Sequence, residues 1–341
     1  MTVSLQGCIQ LTIFTPSGMI YDNHNRPIRY LRLAVTDRCN LRCQYCMPEE
    51  GIQYLPKKSL LTFEEIIELV TVLAEMGISK VRITGGEPFL RKDLMKLLRS
   101  IKSIPGIADL HITTNGLLAV NHVEELKELG ISSVNLSLDT LDAARFKHIT
   151  RRDDFEKTMQ AYEKFLLSGI PVKINCVVME GMNTEDILPM VELTKEVGTS
   201  VRFIEEMPFN GVGKRTGTLT WDHLRIMSHI GEHYGKIEYV PGRPSDTAKL
   251  FRVPGYVGTV GVIAAYSRTF CGTCDRIRVT AQGMLKTCLY DDGVLNIRDL
   301  MRSSEQSLRE ALLEALSKRP VDGHEAEAAR PVHASMSTIG G

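Results

Sequence analysis

Six of the chain's eight cysteines fall into two triplets, and their spacing could do chemistry. Cys39, Cys43 and Cys46 stand as Cys-x3-Cys-x2-Cys in Thr36-Asp37-Arg38-Cys39-Asn40-Leu41-Arg42-Cys43-Gln44-Tyr45-Cys46, with no fourth cysteine close by. Thiolates are the usual protein ligands of iron–sulfur clusters, and a cubane has four irons to hold. Three thiolates leave one iron open to a donor from solution, which points to catalysis more than to a structural staple. Structural zinc needs four tetrahedral ligands, usually as two close pairs, and neither His24 nor His111 has ligand-like spacing to the triplet. A disulfide framework belongs to small secreted chains, and this one has 341 residues. Cys271, Cys274 and Cys288 form a second triplet, Cys-x2-Cys-x13-Cys. Two readings of it stand: zinc completed by a distant histidine, or a second cluster whose open iron could bind a substrate nitrogen or oxygen. Arg276 and Arg278 flank it, and arginine forks suit phosphate oxygens. Cys8 and Cys176 match no ligand pattern; Cys176 reads as a small buried apolar residue and Cys8 as an ordinary thiol.

Such loops need a scaffold that presents them together, and strands alternating with helices supply one. The strand runs are Ile28–Val35, Lys80–Thr84, Ala108–Thr113, Ser133–Leu138, Pro171–Val178 and Ser200–Glu205. Between them lie helical patterns: Phe63–Met76 behind a Thr62–Glu65 capping box, Lys92–Ser103, Val123–Leu129, a long stretch to Leu167, and Asp186–Val197. Six strands separated by helices imply a parallel sheet. The cysteine loop, Gly85-Gly86-Glu87-Pro88, Thr114-Asn115-Gly116, Ser137-Leu138-Asp139 and Met207-Pro208 all fall at strand C-terminal ends, the face that carries chemistry in α/β barrels. The expected fold is α/β: a partial (βα)6 TIM-like barrel, open on one side, with a C-terminal α+β extension covering the opening. The expected divisions are an N-terminal extension (1–27), the partial barrel (28–210), a C-terminal domain around the second triplet (211–317) and a flexible tail (318–341). Within the third, His223–His233 and 305–317 read as helices and Val257–Ala264 as a short β-like run.

Composition excludes several functions. Lys+Arg and Asp+Glu balance at 41 each, which gives no electrostatic case for nucleic acid or an anionic membrane as partner. No apolar stretch is long enough to span a bilayer, and the N-terminus lacks a basic region leading into an apolar one. Reduced thiols then fit a cytoplasmic location.

On its Cys39/Cys43/Cys46 spacing and Gly85-Gly86-Glu87-Pro88, the chain resembles the radical S-adenosylmethionine superfamily. With Cys271-Gly272-Thr273-Cys274-Asp275-Arg276-Ile277-Arg278 and Cys288, it resembles the GTP 3′,8-cyclase family of molybdenum cofactor biosynthesis, from about Arg32 to the last residue. That resemblance implies two 4Fe-4S clusters and S-adenosyl-L-methionine as cofactors and GTP as substrate. The first cluster cleaves S-adenosylmethionine to a 5′-deoxyadenosyl radical, and the second binds the guanine base. The radical takes the ribose 3′ hydrogen, C3′ attacks guanine C8, and reduction gives (8S)-3′,8-cyclo-7,8-dihydroguanosine 5′-triphosphate. Implied partners are a flavodoxin- or ferredoxin-like electron donor and the downstream cyclic pyranopterin monophosphate synthase. The oligomeric state stays open, a homodimer included.

Residue by residue, the resemblance implies S-adenosylmethionine contacts at Tyr45, Gly86, Ser137 and Met207. It implies GTP contacts at Arg32, Arg82, Thr113, Lys173, Arg276, Ile277 (through its backbone) and Arg278. Physics favours Lys173 among these, because a lysine inside an apolar strand is costly to desolvate unless it meets an anion or cavity water. Catalytic roles fall to Arg276, Arg278, Gly340 and Gly341, the last two as a double-glycine tail that reaches the active site. Two other functions remain to be distinguished: a radical peptide maturase with an auxiliary cluster, and a non-enzymatic zinc module.

Overall fold

The computed structural model describes residues 18–207, 219–303, 306–329 and 335–339. Six strands run in sequence order as parallel neighbours: β1 (Tyr30–Ala34), β2 (Lys80–Thr84), β3 (Asp109–Thr114), β4 (Ser133–Ser137), β5 (Val172–Val178) and β6 (Ser200–Glu205). Between them pass α1 (Phe63–Glu75), α2 (Leu94–Lys102), α3 (Val123–Glu128), α4 (Ala143–Thr150), α5 (Phe155–Ser168) and α6 (Ile187–Glu192). The capping box at Thr62 is present in full: its hydroxyl accepts from Glu65 N–H while the Glu65 carboxylate accepts from Thr62 N–H. The sheet's two faces follow from the two-residue strand period. Leu31, Leu33, Val81, Ile83, Leu110, Ile112, Val134, Leu136, Ile174, Val201 and Phe203 are buried in the main core. Their neighbours Arg32, Arg82, Thr113, Asn135, Lys173 and Arg202 point to the opposite, concave face and line a cavity.

The C-terminal third covers the opening by extending this same sheet at both edges. β9 (Thr259–Ile263) pairs parallel with β6, and β10 (Arg276–Val279) pairs parallel with β1. Antiparallel strands finish each side: β8 (Ala248–Arg252) and β7 (Glu238–Val240) beyond β9, β11 (Met284–Lys286) and β12 (Leu295–Asn296) beyond β10. The segment joining β9 to β10 therefore crosses from one edge of the six-stranded unit to the other, and it carries Cys271 and Cys274. Helices α7 (His223–Tyr234), α8 (Ile297–Ser303) and α9 (Leu308–Leu316) pack outside.

Three departures from the sequence reading have physical causes. The long helix expected before Leu167 is broken between α4 and α5, where Arg151 is left-handed at φ 54°. Helix α6 stops early because the chain after it turns its carbonyls outward: Thr194 and Lys195 accept from Gly258 N–H (2.8 Å) and Val257 N–H (3.1 Å), guiding the chain into β9. The tail expected to be flexible carries α10 (Gly323–Ala329) and α11 (Met336–Ile339), helices too short to leave a periodic signal. Ala326 and Ile339 pack with Tyr290 in a small core, and Arg319 is 3% exposed.

Gly258 is where β9 meets β6. A Cβ there would overlap the Thr199 carbonyl oxygen and stand 2.8 Å from that of Val197. Gly258→Ala is expected to cost about 1–3 kcal/mol, read as a lower denaturation midpoint; an unchanged midpoint would show that β9 does not need this approach.

Candidate active site

The first cysteine loop is pinned by the break between α4 and α5. Arg42 N–H and Gln44 N–H donate to the carbonyls of Thr150 (2.9 Å) and Ile149 (3.0 Å) at the end of α4. Arg151, freed by its left-handed backbone, donates from Nη1 to the carbonyls of Arg42 (2.8 Å) and Met47 (3.2 Å). Beneath the loop, Gly86 N–H and Glu87 N–H donate to the carbonyls of Thr36 (2.9 Å) and Arg38 (2.8 Å). A Cβ on Gly85 would overlap the Thr36 carbonyl, and one on Gly86 the Arg38 carbonyl. The two glycines thus let backbone lie on backbone, and the cysteine loop is what they approach. Glu87 is 1% exposed and accepts from Thr114 Oγ1 (2.8 Å), Asn115 N–H (2.8 Å) and Phe89 N–H (3.2 Å). Burial outweighs those donors and pushes its carboxyl up to about 7.

All six triplet cysteines line one cavity of about 380 Å³. So do Tyr45, Gly86, Ser137 and Met207, and likewise Arg32, Arg82, Thr113, Lys173, Arg276 and Arg278. Ile277 is the exception: its side chain is 1% exposed in the opposite core, as strand alternation between Arg276 and Arg278 requires. Tyr45 donates its hydroxyl to Asp139 Oδ2 (3.0 Å), whose other oxygen accepts from Val177 N–H (2.9 Å). Met336 and Ser337 of α11 also reach the cavity, and Ser335 Oγ donates to the Cys46 carbonyl (2.5 Å). Gly340, Gly341 and Cys8 lie outside the described residues.

The sequence reading missed several contributors. Lys80, Arg202, Asn135 and Asn175 line the cavity, and Arg202 Nε, Asn135 Oδ1 and Asn175 Oδ1 are buried without a hydrogen-bond partner among the described residues. The signal was available for Arg202 and Lys80, polar residues at alternate strand positions like Lys173. Among the described residues the lining holds ten Lys and Arg against five Asp and Glu, so a chain of zero net charge keeps a positive interior. Neighbouring groups register that field. Burial opposes ionisation of Tyr30, yet Arg82, Arg32 and Lys80 outweigh it and bring the phenol down to about 7. Burial, with Arg82, Lys80, Lys173 and Arg202, pushes His111 down to about 2. The Lys173 ammonium falls to about 8 through burial and the nearness of Arg202, Arg82 and Lys80.

The two triplets differ in the same terms. Burial raises Cys39 to about 11 and Cys46 to about 12, and raises Cys43 strongly. Cys288 rises to about 11 through burial, and Cys271 rises for the same cause. At Cys274 burial is outweighed by Arg276 and Arg319, and the thiol falls to about 7. The other five thiols, which the protein alone keeps protonated, fit a metal centre, whose own charge ionises its ligands. Among the described residues no three His, Cys, Asp or Glu side chains converge as one ion would require, and a cubane, with its ligands on separate irons, does not require it.

Residues 33–194 match the Radical SAM superfamily, and residues 199–325 match Molybdenum Cofactor Synthesis C. GTP 3′,8-cyclase of Syntrophomonas wolfei is 40% identical over 89% of this chain and 94% of that one. The chain belongs to the GTP 3′,8-cyclase family. A mitochondrial GTP 3′,8-cyclase of Arabidopsis thaliana is 38% identical over 95% of this chain and 84% of its own length. Molybdenum cofactor biosynthesis protein 1 of Homo sapiens is 40% identical over 89% of this chain, which spans only 48% of it; the chain is thus about half the length of its mammalian relatives. Among solved structures, Streptococcus suis SuiB bound to S-adenosylmethionine superposes at TM-score 0.59, with 16% identity, over 90% of this chain and 69% of that one. At that identity it shares the fold alone, a radical SAM partial barrel.

The split between thiols is directly measurable. In metal-free protein at pH 8, a group at about 7 is mostly thiolate and groups at about 11 or 12 are not. Iodoacetamide is expected to label Cys274 at least about tenfold faster than Cys39, Cys46 or Cys288, with peptide mass mapping as the readout; equal rates would show that the arginines do not govern this thiol.

Proposed function

We propose that the chain converts GTP to (8S)-3′,8-cyclo-7,8-dihydroguanosine 5′-triphosphate, the first step of molybdenum cofactor biosynthesis. One observation carries the reading: two separate cysteine triplets open on a single cavity whose remaining wall is cationic. In this reading Cys39, Cys43 and Cys46 hold a 4Fe-4S cluster, and Cys271, Cys274 and Cys288 hold a second. With S-adenosyl-L-methionine bound, a reduced cluster held by Cys39, Cys43 and Cys46 would supply the radical chemistry needed to remove the ribose 3′ hydrogen.

The chain's own residues bind, orient and exclude water. Arg32, Arg82, Lys173, Arg276 and Arg278, joined by Lys80 and Arg202, are the proposed grip on the triphosphate, where charge-assisted bonds are the strong kind. Tyr45, fixed by Asp139, together with Gly86, Ser137 and Met207, is the proposed seat of S-adenosylmethionine. Asn135 and Asn175 offer acceptor oxygens to ribose or amine donors. The helix α11 brings Ser335 onto the Cys46 carbonyl, which supports a role for Gly340 and Gly341 inside the chamber: glycines can thread a mouth that larger residues would block. Residues 28–210 would then serve the first centre and 211–317 the second. A flavodoxin- or ferredoxin-like donor and the cyclic pyranopterin monophosphate synthase are the proposed partners. The seven described cysteines are all free thiols, which supports a reducing cytoplasmic setting.

Hydrogen bookkeeping makes the product an isomer of GTP, because the hydrogen lost to the adenosyl radical is replaced by one electron and one proton. Anaerobic incubation with reductant, S-adenosylmethionine and GTP is therefore expected to yield 5′-deoxyadenosine and a GTP isomer separable by chromatography. Deleting residues 340–341 should leave 5′-deoxyadenosine formation and abolish the isomer. Unaltered GTP with the full chain would overturn the proposal.

Lys173 adds a pH signature. Its free-state ammonium titrates near 8, and a bound phosphate favours the charged form. Below that pH the lysine is already protonated; above it, binding must first take up a proton. GTP affinity is expected to fall as pH rises from 7.5 to 9, and Lys173→Met should bind more weakly and lose that slope. A slope surviving in the variant would assign it to another group.

A further inference from the structure

One guanidinium, outside the cavity lining, touches both arms of the second triplet. Arg319 is 3% exposed and is fully engaged. Its Nε donates to the Thr287 carbonyl (3.0 Å), next to Cys288. Nη1 donates to the Cys274 carbonyl (2.9 Å) and to Asp22 Oδ2 (3.2 Å). Nη2 donates to the Arg276 carbonyl (2.9 Å) and to Cys274 Sγ (3.1 Å). These five bonds use the five N–H donors a guanidinium has. Asp22, whose side chain is fully buried, also binds Arg26 Nε (2.6 Å), and Arg26 Nη1 reaches the Cys271 carbonyl (3.2 Å). Asp22 thus ties together two arginines that between them hold backbone at or next to all three cysteines.

We propose that Arg319, oriented by Asp22, is a positioning residue that fixes the second triplet and sets the reduction potential of the centre it holds. The inference rests on the reading of Cys271, Cys274 and Cys288 as iron–sulfur ligands. A charge-assisted N–H···S bond draws electron density from the thiolate, and a cation beside a cluster favours the form carrying the extra electron. Arg276 also lowers the Cys274 thiol, but it lines the cavity with Arg278, whereas Arg319 lies outside that lining and approaches Cys274 from the protein side.

The test uses the reconstituted full chain. Iron and sulfide are counted, and each centre's potential is measured by EPR-monitored redox titration; the centre whose signal ignores added S-adenosylmethionine is the second. In Arg319→Gln the first centre is expected to keep its potential. The second should move lower, its reduced-to-oxidised ratio at fixed potential dropping about tenfold, equivalent to about 59 mV for one electron. Arg319→Lys, which keeps the charge without the fork, should shift less and in the same direction. Selective loss of iron from the second centre in Arg319→Gln, with the first intact, supports the positioning role. Should the Gln variant fail to fold, the Lys variant decides. Native potential and native iron retention in the variant that folds would overturn the proposal. Iron for only one cluster in the unaltered chain, or zinc in its place, would instead overturn the second-cluster reading itself.

Discussion

Arg32, Arg82, Lys173, Arg202, Arg276 and Arg278 bring their charges to one concave surface, and among the described residues no comparable set of carboxylates follows them in. Like charges crowded in a low dielectric repel, and each pays its own desolvation cost. The depressed His111 and Lys173 record that tension. It is tolerable because the outer face of the same strands is largely apolar and supplies a continuous core. The hydrophobic burial that makes the sheet also holds the cations where an anion would relieve them. Fold stability and ligand demand are thus written on alternate residues of the same strands.

The cysteine loop depends on contacts that cross between strand ends. Gly85 and Gly86 lie under it, the end of α4 clasps it from the side, and Ser335 caps Cys46 from the far end of the chain. The second triplet depends on a different anchor, the pairing of Asp22 with Arg26 and Arg319, which joins residues before β1 to residues after α9. Neither triplet is preorganised by its local segment alone.

Much of this was legible in the chain. The six strand runs fall within about two residues of β1 to β6, because apolar alternation and Gly-rich stops are local signals. Ligand spacing located both triplets, and the odd lysine in Val172-Lys173-Ile174 marked the cavity face. What escaped was non-local. Arg319 sits in a segment too polar to promise structure, and its partner Asp22 is about three hundred residues away in sequence. The break at Arg151 left no proline or glycine to announce it, since the cause is a left-handed arginine whose side chain is needed elsewhere. β9 and β10 look like ordinary short strands; only their register, Arg32 opposite Arg278 and Val201 opposite Val260, shows that they lengthen the main sheet.

The hydrogen bond from Ser335 to Cys46 spans 289 residues. During synthesis the first cysteine loop leaves the ribosome long before the segment that caps it, and β10, which flanks β1, emerges later than every other strand of the parallel row. The nascent chain therefore exposes Cys39, Cys43 and Cys46 through an extended interval in which the chamber has no lid and only part of its wall.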